Sequence, residues 1–94
     1  MRAIHPGEIL ADELKELNLS ANAFAQALKV PANRISGILN KQRAITADTA
    51  LRLARYFGTT SEFWLNLQMT YDLKIAKQKF GKKIEKEVEA RDAA

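Results

Sequence analysis

Asn33 and Arg34 stand side by side, followed by Ser36, Gly37 and Asn40. These residue types suit reading bases in a DNA major groove. Asparagine can bond adenine through two hydrogen bonds, and arginine can do the same with guanine. Ala32, Asn33, Arg34, Ser36 and Gly37 are the candidate base readers, because Ile35, Ile38 and Leu39 define the opposite, inner face of the helix they would share. Asn40, Lys41, Gln42 and Arg43 follow at once as candidate phosphate contacts. Ser20 and Asn22, at the start of the preceding helix, would add backbone contacts from the other side. Phosphate contacts set register and salt dependence without reading sequence. Gly37 in mid-helix costs about 1 kcal/mol against alanine, and close approach to DNA or to a neighbouring helix would be a reason to keep it. The competing reading of these polar residues is a solvated helix face.

Other chemistries find little support. His5 is the single histidine of the 94 residues, and a general base needs a nucleophile or carboxylate held with it in a pocket, for which a chain of this length is short. Ser20 and Ser36 lack a nucleophile-elbow context. There is no cysteine, so disulfides and thiolate sites are excluded, and one histidine with scattered acids does not build a metal site. No enzyme activity, metal or cofactor is expected. Phe63, Trp64 and Tyr71 could form a stacking platform, but their helical spacing favours core or dimer packing. Lys74, Lys77, Lys79, Lys82 and Lys83 read as a solvated face.

Helices must position the readers. Two prolines, four glycines and no β-branched runs favour an all-α chain with short turns. Pro6 or Gly7 opens a first helix to about Leu17, with Leu10, Leu14 and Leu17 on one face. Ser20 caps a short second helix, Ala21 to Leu28. A turn at Lys29-Val30 leads to Pro31 and a third helix, Ala32 to about Leu39. Thr46 caps a fourth helix ending at Tyr56 or Phe57, stopped by Gly58. Thr60 caps a fifth helix expected to run to about Phe80, with Gly81 as its breaker and 81–94 as a short charged extension. The domain is thus 1–80.

Residues 20–43 have the pattern of a helix-turn-helix. Ala25 is the small residue needed where the two helices cross, Val30 anchors the corner, and Ile35 and Ile38 face inward. Lys29 departs from the pattern, standing where glycine is usual. Left-handed geometry there would cost roughly 1–2 kcal/mol, so a wider turn is expected. Charge adds an electrostatic footprint. Residues 21–43 hold Lys29, Arg34, Lys41 and Arg43 and no acid, while residues 1–20 hold Arg2 and Lys15 against Glu8, Asp12, Glu13 and Glu16. The start of the sequence offers no apolar secretion signal and no window suits a membrane span, so a cytoplasmic location is expected.

The segments His5-Pro6-Gly7-Glu8, Asn33 to Asn40, Ala44-Ile45-Thr46, Thr49 to Leu53, Phe63 to Gln68 and Tyr71-Asp72-Leu73 together resemble HigA-type (VapI-like) antitoxins. The resemblance covers roughly residues 4–75. It implies a five-helix, phage-repressor-like domain, a homodimer on palindromic double-stranded operator DNA, and a partner toxin, usually a ribosome-dependent mRNA endonuclease. Solitary regulators without a toxin belong to the same relatives. Pro31 stands where relatives often have a serine cap, and Ser61 where they often have proline. Trp64, Leu67, Tyr71 and Ile75 lie along one line of the fifth helix and are the expected dimer contacts. The acidic residues Glu8, Asp12, Glu13 and Glu16, or the tail after Phe80, are the expected toxin surfaces.

Overall fold

The computed structural model describes residues 2–91, and residues 92–94 of the expected tail lie outside them. Five helices follow one another: α1 Pro6–Leu17, α2 Ala21–Leu28, α3 Ala32–Leu39, α4 Ala47–Phe57 and α5 Ser61–Glu87. The five-helix reading and four of the five helix ends match the sequence. Three of the five helix starts, those of α1, α2 and α5, carry a side-chain cap. Pro6 is the first residue of α1, and His5 caps it: Nδ1 accepts from the Gly7 amide at 2.9 Å while the Glu8 carboxylate accepts from the His5 amide at 3.1 Å. Ser20 accepts from the Ala23 amide and Thr60 from the Phe63 amide, both at 3.1 Å. Thr46 occupies the cap position of α4 without a side-chain cap bond, contrary to the role its type suggested.

Two expectations fail for reasons of magnitude. Lys29 does adopt the left-handed conformation, φ 61° and ψ 45°, so the turn is not widened. Its amide bonds Gln26 and that of Val30 bonds Ala25, which closes the α2 end at normal tightness despite the cost to a residue with a Cβ. Gly81 does not stop α5, which continues to Glu87. One glycine costs about 1 kcal/mol, too little to end a helix whose next residues, Lys82 to Glu87, are helix formers.

The core is built from Leu10 and Leu14 of α1, Phe24, Ala25 and Leu28 of α2, Ile35 and Ile38 of α3, Ile45, Ala50 and Leu53, and Trp64 of α5. Phe24, Phe57 and Trp64 stack in sequence, with centroids 5.6 and 5.7 Å apart. Trp64 is therefore a core residue of its own chain, buried and donating Nε1 to Thr59 Oγ1 at 3.0 Å, and not an exposed dimer contact. α1 crosses α3 at Gly7, where any Cβ would collide with the Ile38 carbonyl. Gln68 is buried and ties α5 to the segment after α3: its Oε1 accepts from the Ile45 amide at 2.8 Å and its Nε2 donates to Asp72 at 2.9 Å. Beyond Ile75 every described residue of α5 except Gly81 is exposed, so the helix stands clear of the body and the long axis of the molecule reaches 53 Å.

Candidate nucleic-acid interface

Ala25 is buried on the core side of α2, and Val30 packs against the core at the corner. Both placements fit the parts their types suggested. With Ile35 and Ile38 fully buried, α3 has one available outer face. On it Ala32 and Asn33 are exposed, while Arg34, Ser36 and Gly37 are half-buried. Ser36 Oγ turns back to the Asn33 carbonyl at 3.4 Å. The structure thus brings all five candidate base readers to one surface.

The connector folds back over the end of α3. Gln42 and Arg43 both donate their amides to the Gly37 carbonyl, at 2.8 and 3.1 Å, and Lys41 sits at φ 63°. Asn40, Lys41, Gln42 and Arg43 are all exposed beside the α3 face. Arg43 also explains Gly37. A Cβ on Gly37 would lie 2.8 Å from Arg43 Cγ and Cδ, so the glycine clears a path for this side chain. Within the chain, the neighbour is the connector and not a second helix. Ser20 and Asn22 are exposed at the start of α2, although the Ser20 hydroxyl already accepts the cap bond.

Two side chains that sequence reading left aside hold this surface together. Asp48, in the first turn of α4, accepts from Arg34 Nη1 at 2.7 Å and from Arg52 Nε at 3.0 Å through the same oxygen. Arg52 Nη1 reaches the Leu28 carbonyl at 2.9 Å. Hydrogen bonds from Arg52 and then Arg34 hold the Asp48 carboxyl below the usual carboxylate range. The Asp48 and Arg52 spacing of four residues was the available signal. Arg34, Arg43, Ala44, Thr46 and Thr49 also line a shallow hollow of about 310 Å³ at the start of α4.

His5 and Glu8 support the connector from below. His5 is buried, and its ring meets Tyr71 edge-on at 4.8 Å. Burial, reinforced by the Lys41 charge, pushes its pKa below the ordinary imidazole value, while Asp72, Glu8 and a bond with the Arg43 backbone oppose the shift. Its role is a cap. Glu8 is pulled down to about 2 by the bond from Arg2 and that from the His5 amide, and Lys41 Nζ lies 3.7 Å from it. Glu8 is thereby spoken for, whereas Asp12, Glu13 and Glu16 remain on the exposed face of α1.

Of the expected dimer contacts besides Trp64, Leu67 and Tyr71 line an apolar groove of about 340 Å³ with Ile4, Ile9 and Phe63, and Ile75 is half-buried. The large exposed apolar residues of α5 are instead Phe63, Met69, Leu73, Phe80 and Ile84. Among the described residues, no group of three or more potential ligands could hold a metal, and no helix is long and apolar enough to cross a membrane.

Comparison with known proteins agrees with this geometry. The sequence profile of the helix-turn-helix family matches residues 10–65. Virulence-associated protein I of Dichelobacter nodosus is 61% identical over 79 residues, covering 83% of this chain and 73% of that protein. The structure of an addiction module antidote protein of the HigA family from Coxiella burnetii is 64% identical with a TM-score of 0.93, covering 97% of this chain and all of the other. The Pseudomonas aeruginosa antitoxin HigA, solved with the higBA promoter, is 53% identical with a TM-score of 0.91, over 94% of this chain and 97% of its own.

Proposed function

Because the chain belongs to the helix-turn-helix family and stands among its HigA-type antitoxins, we propose that it binds the operator of its own toxin–antitoxin genes, represses them, and neutralises the partner toxin. The observation that carries the DNA-binding reading is the shared surface of Asn33 and Arg34 on α3 with Lys41 and Arg43 on the connector, a base-reading face flanked by phosphate contacts. The α3 face enters the major groove; Ser20 and Asn22 touch the backbone across it. The partner at that surface is double-stranded DNA, and the protein acts in the cytoplasm as a binding protein with no catalytic part and no cofactor.

Pseudo-palindromic operators pair two recognition helices about one helical turn apart, so the binding unit is a homodimer. Met69, Leu73, Phe80 and Ile84 fall on one side of α5 at spacings of four, seven and four, and this stripe with the groove at Leu67 and Tyr71 is the interface of the proposal. The toxin, by resemblance a ribosome-dependent mRNA endonuclease, is assigned to the exposed acidic face of α1, distinct from the base-reading face of α3. Asp12, Glu13 and Glu16 supply the charge that would speed association with a basic partner.

One pair of variants tests the division of surfaces. Asp12→Lys with Glu16→Lys is expected to lose toxin binding and keep promoter binding; Asn33→Ala with Arg34→Ala is expected to do the reverse. Toxin binding is measured by copurification with the product of the neighbouring reading frame, and promoter binding by gel shift. Loss of both activities in both folded variants would refute separate surfaces.

A further inference from the structure

Arg34 does not hang free on the α3 face. Its Nη1 is held by Asp48 at 2.7 Å, and Asp48 is held in turn by Arg52, whose other end grips the last carbonyl of α2. Four groups therefore run as one chain from the end of α2, through α4, to the outer face of α3. The three ionised members sum to a single positive charge, so the acid does not cancel the surface's attraction for phosphate.

From this geometry we infer that Asp48 is a positioning residue for base readout, fixing the Arg34 guanidinium in the pose from which it meets a guanine. The inference rests on the DNA-binding reading above. A guanidinium carries about five N–H donors, so one bond to Asp48 leaves enough of the fork for a bidentate contact with a base. An arginine without a partner samples many rotamers and must lose that freedom on binding; an arginine already braced loses less. The Asp48 side chain is 57% exposed, and an ion pair in such a place does little for folding. What it can do there is order the arginine.

The charge on Asp48 fixes the sign of an unusual effect. Asp48 carries negative charge at a surface that meets phosphates, so removing it favours DNA of any sequence, while the loosened Arg34 reads its base pair less sharply. A residue of purely structural importance would weaken both kinds of binding together.

The experiment uses the full chain and a pool of duplexes with a randomised core. Wild type selects its preferred sequence, and Arg34→Ala identifies the base pair that Arg34 reads. Asp48→Asn, Asp48→Ser and the Asp48→Asn Arg34→Ala double variant are then titrated with the selected duplex, with that duplex altered at the one base pair, and with a scrambled duplex, after a thermal melt has confirmed folding. Asp48→Asn is expected to lose roughly tenfold discrimination at that pair, within the range of a bidentate contact, to add nothing in the Arg34→Ala background, and to bind scrambled DNA at least as tightly as wild type. Undiminished or sharpened discrimination would overturn the inference, and so would a loss spread evenly over all base pairs with weaker scrambled binding. A wild type that selects no sequence would overturn the DNA-binding reading itself.

Discussion

Replacing Gly37 with alanine separates folding from DNA binding. In isolation the change favours the helix by about 1 kcal/mol. Against this, the new methyl would lie 2.8 Å from Cγ and Cδ of Arg43 and 3.3 Å from its Nε, so the arginine must leave its place over α3. Arg43 is exposed and free to move aside, and even if it is forced off a staggered rotamer the cost is at most about 0.5–1.5 kcal/mol. The net expectation lies between a loss of about 0.5 kcal/mol and a gain of about 1 kcal/mol. For a domain of this size the upper end is a rise in melting temperature of about 4–8 °C. DNA binding is expected to fall. If Arg43 over Gly37 is a phosphate contact, its loss weakens operator and scrambled duplexes alike and flattens the logarithmic salt dependence by about 0.9. Calorimetry and salt-dependent fluorescence anisotropy measure the two halves. Gly7→Ala is the internal contrast, because there the methyl meets the Ile38 backbone carbonyl, which has no rotamer to adopt. That variant is expected to lose roughly 1–3 kcal/mol, the usual cost of overpacking. A Gly37→Ala protein destabilised as much as Gly7→Ala, or one that binds DNA with an unchanged salt slope, would refute the reasoning.

Arg34→Ala is expected to lose about 1–3 kcal/mol of specific binding and to relax preference at one base pair, whereas Lys41→Ala and Arg43→Ala weaken all duplexes equally; indistinguishable profiles in a gel-shift series would contradict the roles. His5 titrates below the ordinary value of about 6.5, so the folded state binds fewer protons there than the unfolded state. Its contribution to stability is accordingly full above about pH 6.5 and declines as pH falls toward its lowered value, a slope that denaturant melts should show and that His5→Asn, a cap that does not titrate, should abolish. Phe80→Glu with Ile84→Glu should yield monomers by sedimentation at concentrations where wild type is dimeric, with the helical fold of the body retained by circular dichroism, since both side chains are exposed and outside the core.

The helices were legible because their starts are chemical. Ser20, Thr60 and Pro6 each offer a local group that a helix end needs, and Ala25 and Val30 have the size and character that the inner side of the motif needs. Lys29 and Gly81 depart from their local preferences for the same reason: a backbone preference worth about 1–2 kcal/mol is outweighed by tertiary packing or by neighbouring helix formers. Trp64 shows a different limit. Helical spacing places it on a face with Leu67 and Tyr71 but is silent on whether α4 or a second chain covers that face. Asp48 and Arg52 escaped because their partners, Arg34 and the Leu28 carbonyl, are distant in sequence and become neighbours only when α4 packs.

Gln68 gives the long helix a fixed azimuth. Grease alone would let α5 roll a few degrees on the core, but a roll would strand the Ile45 amide, which has its bond from this one side chain. The free half of α5 then acts as a handle rigidly keyed to the connector just upstream of Ile45. Two such handles gripping each other would set the angle between two connectors, and so the pitch at which a pair of recognition helices meets successive turns of a duplex.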